Sequence, residues 1–228
     1  AVDVDGWGVD VVTAGLQKGM GGPPGSSPIT ISDRAAEHIF ARRHVEKGLR
    51  SSDEMDGTRV RIASNYFDLA MVMDYWSEKR LNHHTEATTM LYGAREAARI
   101  MLEEGLETRF ARHRAAGRAI CAGARALGLE LFGQDAYRMT NVTGIWIPEG
   151  VNGEAVRRRM REDFEIEIGT AFGPLAGRIW RIGAMGYNAE KHTVLHTLGA
   201  LEAVLTAEGF GVSRGAGVDA ALAAWNGV

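Results

Sequence analysis

Short apolar runs and polar breaks alternate over the first forty residues, and the pattern predicts strand, loop, strand and helix in that order. Residues 9–12 (VDVV) and 29–31 (ITI) are typical of strands. Between them, residues 19–28 hold four glycines and three prolines, which exclude regular structure. Ser32 precedes a helical pattern at residues 33–43 and is expected to cap that helix. This order favours a layer of an α/β fold.

Apolar residues at helical spacing predict buried helices in the middle of the chain, after a polar, irregular stretch at residues 44–65. Beyond Gly128, short β-type runs alternate with helical patterns and predict a compact α+β unit. We therefore expect a domain boundary near residues 105–110, between residues 1–105 and residues 106–228. The predicted helices cover residues 66–77, about 86–104, about 106–127, 153–164 and about 189–208, and the predicted strands cover 129–132, 141–148, 166–169 and 178–184.

Two further stretches are expected to lie outside the packed core, one as a mobile tail and one as a solvated helix face. The tail at residues 209–228 is rich in glycine and alanine and is expected to be partly mobile. The second long helix has a basic face, which is expected to be solvated surface. That face consists of Arg109, Arg112, Arg114 and Arg118.

Composition narrows the classes of function. The 228 residues are 45% apolar, enough for one large domain or two small ones, and 26 basic residues nearly balance 29 acidic ones. No basic stripe suggests a nucleic-acid or membrane-surface partner, and no apolar run approaches the roughly 18 residues of a membrane helix. Cys121 is the single cysteine, so an internal disulfide is excluded and a reducing, cytoplasmic compartment is expected. We expect Cys121 to be a small buried side chain in a helix.

Lysine is rare in this chain, and one of the four lysines has unusual neighbours. Lys47, Lys79 and Lys191 lie among charged residues and are expected at the surface, whereas Lys18 lies between a β-rich run and the glycine–proline loop. A lysine that attacks a carbonyl must be neutral, a form that burial and positive neighbours favour. Gln17 beside it could donate a hydrogen bond to a phosphate or ring oxygen. From spacing alone, a surface lysine in a loop is the more common interpretation.

The segment around this lysine, TAGLQKGMGGPPGSSPITIS, resembles the cofactor-lysine segment of the class-V pyridoxal-phosphate aminotransferases of the alanine–glyoxylate type. The resemblance implies that Lys18 forms the Schiff base with pyridoxal 5′-phosphate and that Gln17 contacts the cofactor phosphate. It extends over nearly the whole chain. It implies an α/β fold, in which part of the large cofactor-binding domain is followed by a small α+β domain.

Two further segments resemble the same family in the same order. LNHHTEATTMLYGAREA resembles the stretch that reaches into the neighbouring subunit's site, which implies a homodimer in which His83 and Thr85 contact phosphate across the interface. IEIGTAFGPLAGRIWRIGAMGYNA resembles the segment with the substrate-carboxylate arginine, which implies that role for Arg181. A guanidinium suits it, because it binds a carboxylate bidentately and stays charged. Arg178 is expected to face elsewhere by strand alternation or to compete only weakly for the carboxylate.

Two other interpretations of these residues are less favoured. His83 and His84 could be a metal pair, but adjacent side chains point different ways and no cysteine or carboxylate stands at a ligand spacing, so no metal is expected. A cysteine desulfurase shares the fold but needs a mobile nucleophilic cysteine, and Cys121 lies inside a predicted helix.

The residue before the histidine pair indicates which amino donor the enzyme uses. Most alanine–glyoxylate enzymes have tyrosine there, whereas Asn82 resembles the members of purine catabolism that move an amino group from (S)-ureidoglycine to glyoxylate and form glycine. An amide offers both a donor and an acceptor to a ureido group. Alanine or serine as donor is the alternative.

The upstream part of this family supplies a phosphate loop, an aromatic residue that stacks on the cofactor and an aspartate for the pyridine nitrogen. None of these features is found here in a segment that resembles the family, and the sequence starts at Ala1 within what looks like a continuing pattern. We therefore expect a fragment that is inactive if residues 1–228 are the whole chain.

Overall fold

The computed structural model describes residues 2–42 and 64–227, which form two compact units. The first unit comprises Ala1–Leu16 and Pro23–Ala94, and the second comprises Gln17–Gly22 and Arg95–Val228. The short Lys18 segment therefore belongs to the second unit. Of the irregular stretch predicted at residues 44–65, residues 44–63 lie outside the described residues. Lys47, which was expected at the surface, is one of them. The domain boundary expected near residues 105–110 stays a prediction.

The first unit begins with a small antiparallel hairpin. Strands β1 (Val11–Thr13) and β2 (Ile29–Ile31) pair with Val11 opposite Ile31. Helix α1 (Asp33–Phe40) follows, and the Ser32 hydroxyl accepts a hydrogen bond from the amide of Ala35 at 3.1 Å, which confirms the predicted cap.

Two more helices belong wholly or partly to this unit. Helix α2 (Leu69–Tyr75) is capped by the buried Asp68, whose carboxylate accepts from the amides of Ala70 and Met71. A carboxylate at this position also complements the helix dipole. Helix α3 (Thr88–Glu104) begins in the first unit and ends in the second.

The second unit packs helices against a three-stranded antiparallel sheet. Strands β3 (Val142–Trp146), β4 (Gly169–Thr170) and β5 (Ile179–Gly183) lie in the order β3–β5–β4. Trp180 of β5 is fully buried, and its indole nitrogen donates to the carbonyl of Gly153 at 3.0 Å. The helices of this unit are α4 (Leu106–Ala126), α5 (Gly153–Phe164), α6 (Lys191–Ala207) and α7 (Ala216–Asn226).

The expectation of a mobile tail is wrong for residues 216–226, which form helix α7. Ala221 of this helix is fully buried. Small residues let α7 and α4 approach closely: a methyl group added at Gly123 would lie 2.8 Å from the carbonyl oxygen of Gly217. Helix packing of this kind needs neighbouring elements that a local composition count does not reveal.

Two predicted strands also differ from the structure. Residues 129–132 form an isolated bridge between Leu131 and Ile145 rather than a strand. Of the run at 166–169, only Gly169 pairs, in strand β4.

Cys121 lies in α4 as predicted, but it is half-buried beside the core, with its Sγ atom 3.8 Å from the Thr143 hydroxyl. In the part of the chain that the structure describes, no helix has both the length and the apolar character needed to cross a membrane.

Candidate active site

The Lys18 segment is a tight turn in the second unit. The amide of Gly21 donates to the carbonyl of Lys18 at 2.9 Å. The side chains of Gln17 and Lys18 are exposed, and a methyl group added at Gly19 would meet no atom within 4 Å. A small molecule can therefore reach Lys18 from solvent.

Helix α4 holds this turn through Arg109. Its guanidinium donates to the carbonyl of Gly19 from Nε at 3.2 Å and from Nη2 at 2.8 Å, and Nη2 also donates to the carbonyl of Met20 at 3.1 Å. Only 6% of the Arg109 side chain is exposed. The interpretation of Arg109 as solvated surface is therefore wrong.

Arg112, one turn further along α4, is also largely buried, which corrects the same prediction for this residue. It donates to the carbonyl of Gly186 at 2.9 Å. The Glu104 carboxylate joins the two arginines, accepting from Arg109 and from Arg112 at 2.6 Å each. Arg114 and Arg118 are exposed, as expected. The sequence signal that would have predicted this burial is the large number of alanine and glycine residues in α4. Such a helix is typically packed on several sides, so its arginines contact protein rather than water.

These charges shift the protonation equilibria of the cluster. Hydrogen bonding from Arg112 lowers the pKa of the Glu104 carboxyl, and the same bond raises the pKa of Arg112. Burial lowers the pKa of His113, with the nearby Arg112 charge acting in the same direction. The His113 Nδ1 atom lies 2.8 Å from the Arg109 carbonyl, to which only a protonated nitrogen can donate, and Nε2 accepts from the amide of Gly186 at 3.0 Å. The neutral ring with its proton on Nδ1 satisfies both bonds.

Gly186 packs directly on the Lys18 turn. A methyl group added there would lie 2.7 Å from the Cα atom of Gly21, and both glycines have positive φ angles. Only glycine allows this approach without displacement of one backbone. The turn is thus held between α4 and the loop that follows strand β5.

Arg181 lies in the middle of β5, opposite Gly144 of β3 and Gly169 of β4. Its neighbours Trp180 and Ile182 are buried, whereas Arg181 is exposed on the other face of the sheet. The guanidinium lies 5.4 Å from the ring centroid of Phe172. It lines a cavity of about 700 Å³ with mainly apolar walls. The Arg178 guanidinium instead lies 5.2 Å from the Trp146 ring centroid.

The histidine pair lies in the first unit, after α2. His83 and His84 face each other through their Nδ1 atoms at 3.2 Å, and the His83 ring meets Tyr75 edge-on. His84 Nε2 lies 3.6 Å from the Glu86 carboxylate. His83 Nε2 is buried and has no hydrogen-bond partner among the described residues. Such an atom normally finds a partner, so His83 has capacity for one more ligand atom.

Asn82 and Thr85 flank the pair, and both are exposed. Asn82, His83 and Thr85 are neighbours along the chain and all belong to the first unit. In residues 2–42 and 64–227, no group of three or more histidine, cysteine or acidic side chains could hold a metal ion.

No protein-family model matches the chain. Over 224 residues the chain is 51% identical to the (S)-ureidoglycine–glyoxylate transaminase of Bacillus subtilis (strain 168), covering 97% of the chain and 54% of that protein. It is 32% identical over 213 residues to the alanine–glyoxylate aminotransferase of Drosophila melanogaster, covering 92% of the chain and 50% of that protein.

A crystal structure of ureidoglycine–glyoxylate aminotransferase from Bacillus subtilis superimposes with a TM-score of 0.88 at 49% identity, covering 99% of the chain and 54% of that structure. The chain spans about half the length of the curated relatives it matches. The fold is therefore part of the α/β fold of the pyridoxal-phosphate-dependent aminotransferases, as predicted. The chain is a close homologue of (S)-ureidoglycine–glyoxylate transaminase and a more distant one of the alanine–glyoxylate aminotransferases.

Proposed function

We propose that this chain provides one part of an aminotransferase that moves an amino group from (S)-ureidoglycine to glyoxylate, giving glycine, in purine catabolism. The observation that carries the proposal is the 51% identity to a transaminase of that name over nearly the whole chain. We further propose that the active enzyme is a cytoplasmic homodimer with sites shared across its interface.

The residues present fit pyridoxal 5′-phosphate as the cofactor. Lys18 is exposed, and its amine could bond covalently to an aldehyde. The buried His83 Nε2 atom lacks a partner, and a phosphate oxygen is one ligand that would satisfy it. Gln17 and Thr85 add exposed donors for phosphate. When bound, the cofactor supplies an electron sink that makes the α C–H bond of the amino donor acidic.

The chain's own residues then move protons and bind substrate. The neutral Lys18 amine would take the proton from the α-carbon of the amino donor as a base, and the ammonium so formed would then give that proton up as an acid. Arg181 binds the carboxylate of the amino donor and then that of glyoxylate, through two parallel hydrogen bonds. The Phe172 ring restrains its guanidinium, because a cation is attracted to an aromatic face. Asn82 is proposed to contact the ureido group of the donor.

The first test is covalent capture of the cofactor. The active enzyme, loaded with pyridoxal 5′-phosphate, should absorb in the visible region, and borohydride should fix the cofactor to the peptide that contains Lys18. Lys18→Ala should abolish both signals and reduce transamination below about one part in a thousand. Lys79→Ala is the matched control, because Lys79 is exposed and paired with Asp74 at 2.8 Å. A colourless protein without an adduct would instead support a folded, non-catalytic chain.

The second test concerns the amino donor. Specificity constants with (S)-ureidoglycine, alanine and serine, each with glyoxylate as acceptor, should favour ureidoglycine. A preference for alanine or serine would replace the proposed donor and leave the transamination proposal intact.

A further inference from the structure

We propose that four residues, Glu104, Arg109, Arg112 and His113, form a positioning clamp that fixes the Lys18 turn for its reaction with the cofactor. The proposal rests on the proposed function, because it takes Lys18 as the cofactor lysine. Arg109, Arg112 and His113 contact backbone atoms of the turn or of the loop behind it, and Glu104 pairs with both arginines. They are therefore positioning residues rather than catalytic ones.

The first half of the clamp acts on the turn itself. Arg109 donates three hydrogen bonds to the carbonyls of Gly19 and Met20, the two residues that follow Lys18. None of these bonds uses the Lys18 side chain. The backbone is thus restrained while the amine stays free to move between cofactor and substrate.

The second half acts on the loop behind the turn. Arg112 donates to the carbonyl of Gly186, and His113 accepts from its amide, so both backbone groups of this residue are bound. Gly186 in turn packs on Gly21, which closes the lysine turn through a bond to the Lys18 carbonyl. The turn is therefore fixed from two sides by one helix.

The Glu104 carboxylate offsets the cost of burying two neighbouring arginines. Arg109 and Arg112 stand three residues apart on one helix face, where like charges repel, and both are largely buried. A buried cation without a partner is costly, and one carboxylate accepting from both arginines offsets that cost. The carboxylate also orients both guanidinium groups toward the turn and its supporting loop.

Hydrogen exchange of the cofactor-free protein tests the clamp directly. Arg109→Lys keeps the charge but loses the fork that reaches two carbonyls. The amides of residues 17–22 should then exchange about tenfold faster, as expected for loss of one charge-assisted hydrogen bond. Arg118→Lys, at an exposed position of the same helix, should leave that rate unchanged. Unchanged exchange in Arg109→Lys would overturn the proposal.

A second variant covers the case in which Arg109→Lys unfolds the unit, seen as fast exchange throughout helix α6. Arg112→Lys alters a less buried side chain and removes the bond to Gly186. It should accelerate exchange at residues 17–22 and spare α6. If it leaves residues 17–22 unchanged, the clamp is refuted.

Measurement of cofactor binding distinguishes a failure of the clamp from a failure of the proposed function. In the protein that has Lys18, Arg109→Lys should weaken retention of pyridoxal 5′-phosphate about tenfold. In a Lys18→Ala background it should have no further effect, because Arg109 acts on the cofactor only through Lys18. An equal loss in both backgrounds would show that Arg109 does not act through the lysine. Failure of the proposed function is recorded separately, as absence of the borohydride adduct at Lys18.

Discussion

Arg109 donates two hydrogen bonds to the carbonyl of Gly19, a residue ninety positions earlier in the chain. The glycine-rich segment beside Lys18 lacks regular structure and has few local means of holding a fixed conformation. Its position therefore depends on a helix that lies much later in the sequence.

Replacing the proposed carboxylate ligand should weaken binding of both substrates. Arg181→Lys exchanges a bidentate fork for a point charge, and one charge-assisted hydrogen bond contributes about 1.5–3 kcal/mol. We expect KM for glyoxylate and for the amino donor to rise by about tenfold or more, with a smaller change in kcat. Arg178→Lys is the control, since its guanidinium lies over Trp146. Unchanged KM values for both acids would remove Arg181 from the site.

The exposed Asn82 should influence the choice of amino donor. Asn82→Tyr replaces an amide, which offers a donor and an acceptor, by a bulkier phenol. The ratio of specificity constants for ureidoglycine and alanine should then move toward alanine. Thr89→Ser is a suitable control, since it is a mild change at an exposed position of helix α3. If Asn82→Tyr leaves the ratio unaltered, this residue does not select the donor.

Protonation of His113 should destabilise the folded protein. Its pKa is lowered in the folded state, mainly by burial, so the unfolded chain binds a proton first as pH falls. The resulting stability is complete above the unfolded value of about 6.5 and is lost as pH falls toward the folded value. Urea unfolding at pH about 7.5 and about 5.5 should show this loss.

The matched variants identify the group responsible. His113→Gln should reduce the difference in unfolding free energy between the two pH values, whereas His196→Gln, at an exposed position of α6, should preserve it. The same pH dependence in wild type and His113→Gln would assign the effect to other groups.

Close packing of α7 on α4 should make Gly217 sensitive to substitution. A methyl group added there would lie 2.9 Å from Leu127 Cγ, closer than normal contact. Gly217→Ala should lower the free energy of unfolding by about 1–3 kcal/mol, as overpacking does. Gly211→Ala, where an added methyl would meet no atom within 4 Å, should cause no such loss. Equal stability of the two variants in urea would show that the helices can separate without cost.

Sequence patterns predicted most helices and strands well, because their periodicity and caps are local. Ser32, for example, caps α1 through its own side chain three residues away. The strand that contains Arg181 was also predictable, since buried Trp180 and Ile182 alternate with it. The edges of the sheet were harder to predict from the sequence. Residues 129–132 have the composition of a strand but form only an isolated bridge, because pairing depends on the partner strand.

By itself the sequence determined the α/β class, the family resemblance and the positions proposed for cofactor and substrate, because short motifs and periodic patterns record these. Only the tertiary structure decided that Arg109 and Arg112 are buried around Glu104, and that the tail forms a packed helix. Burial is a property of surfaces brought together from distant parts of the chain. An arginine on a helix has the same local pattern whether it faces water or the backbone of a turn ninety residues away.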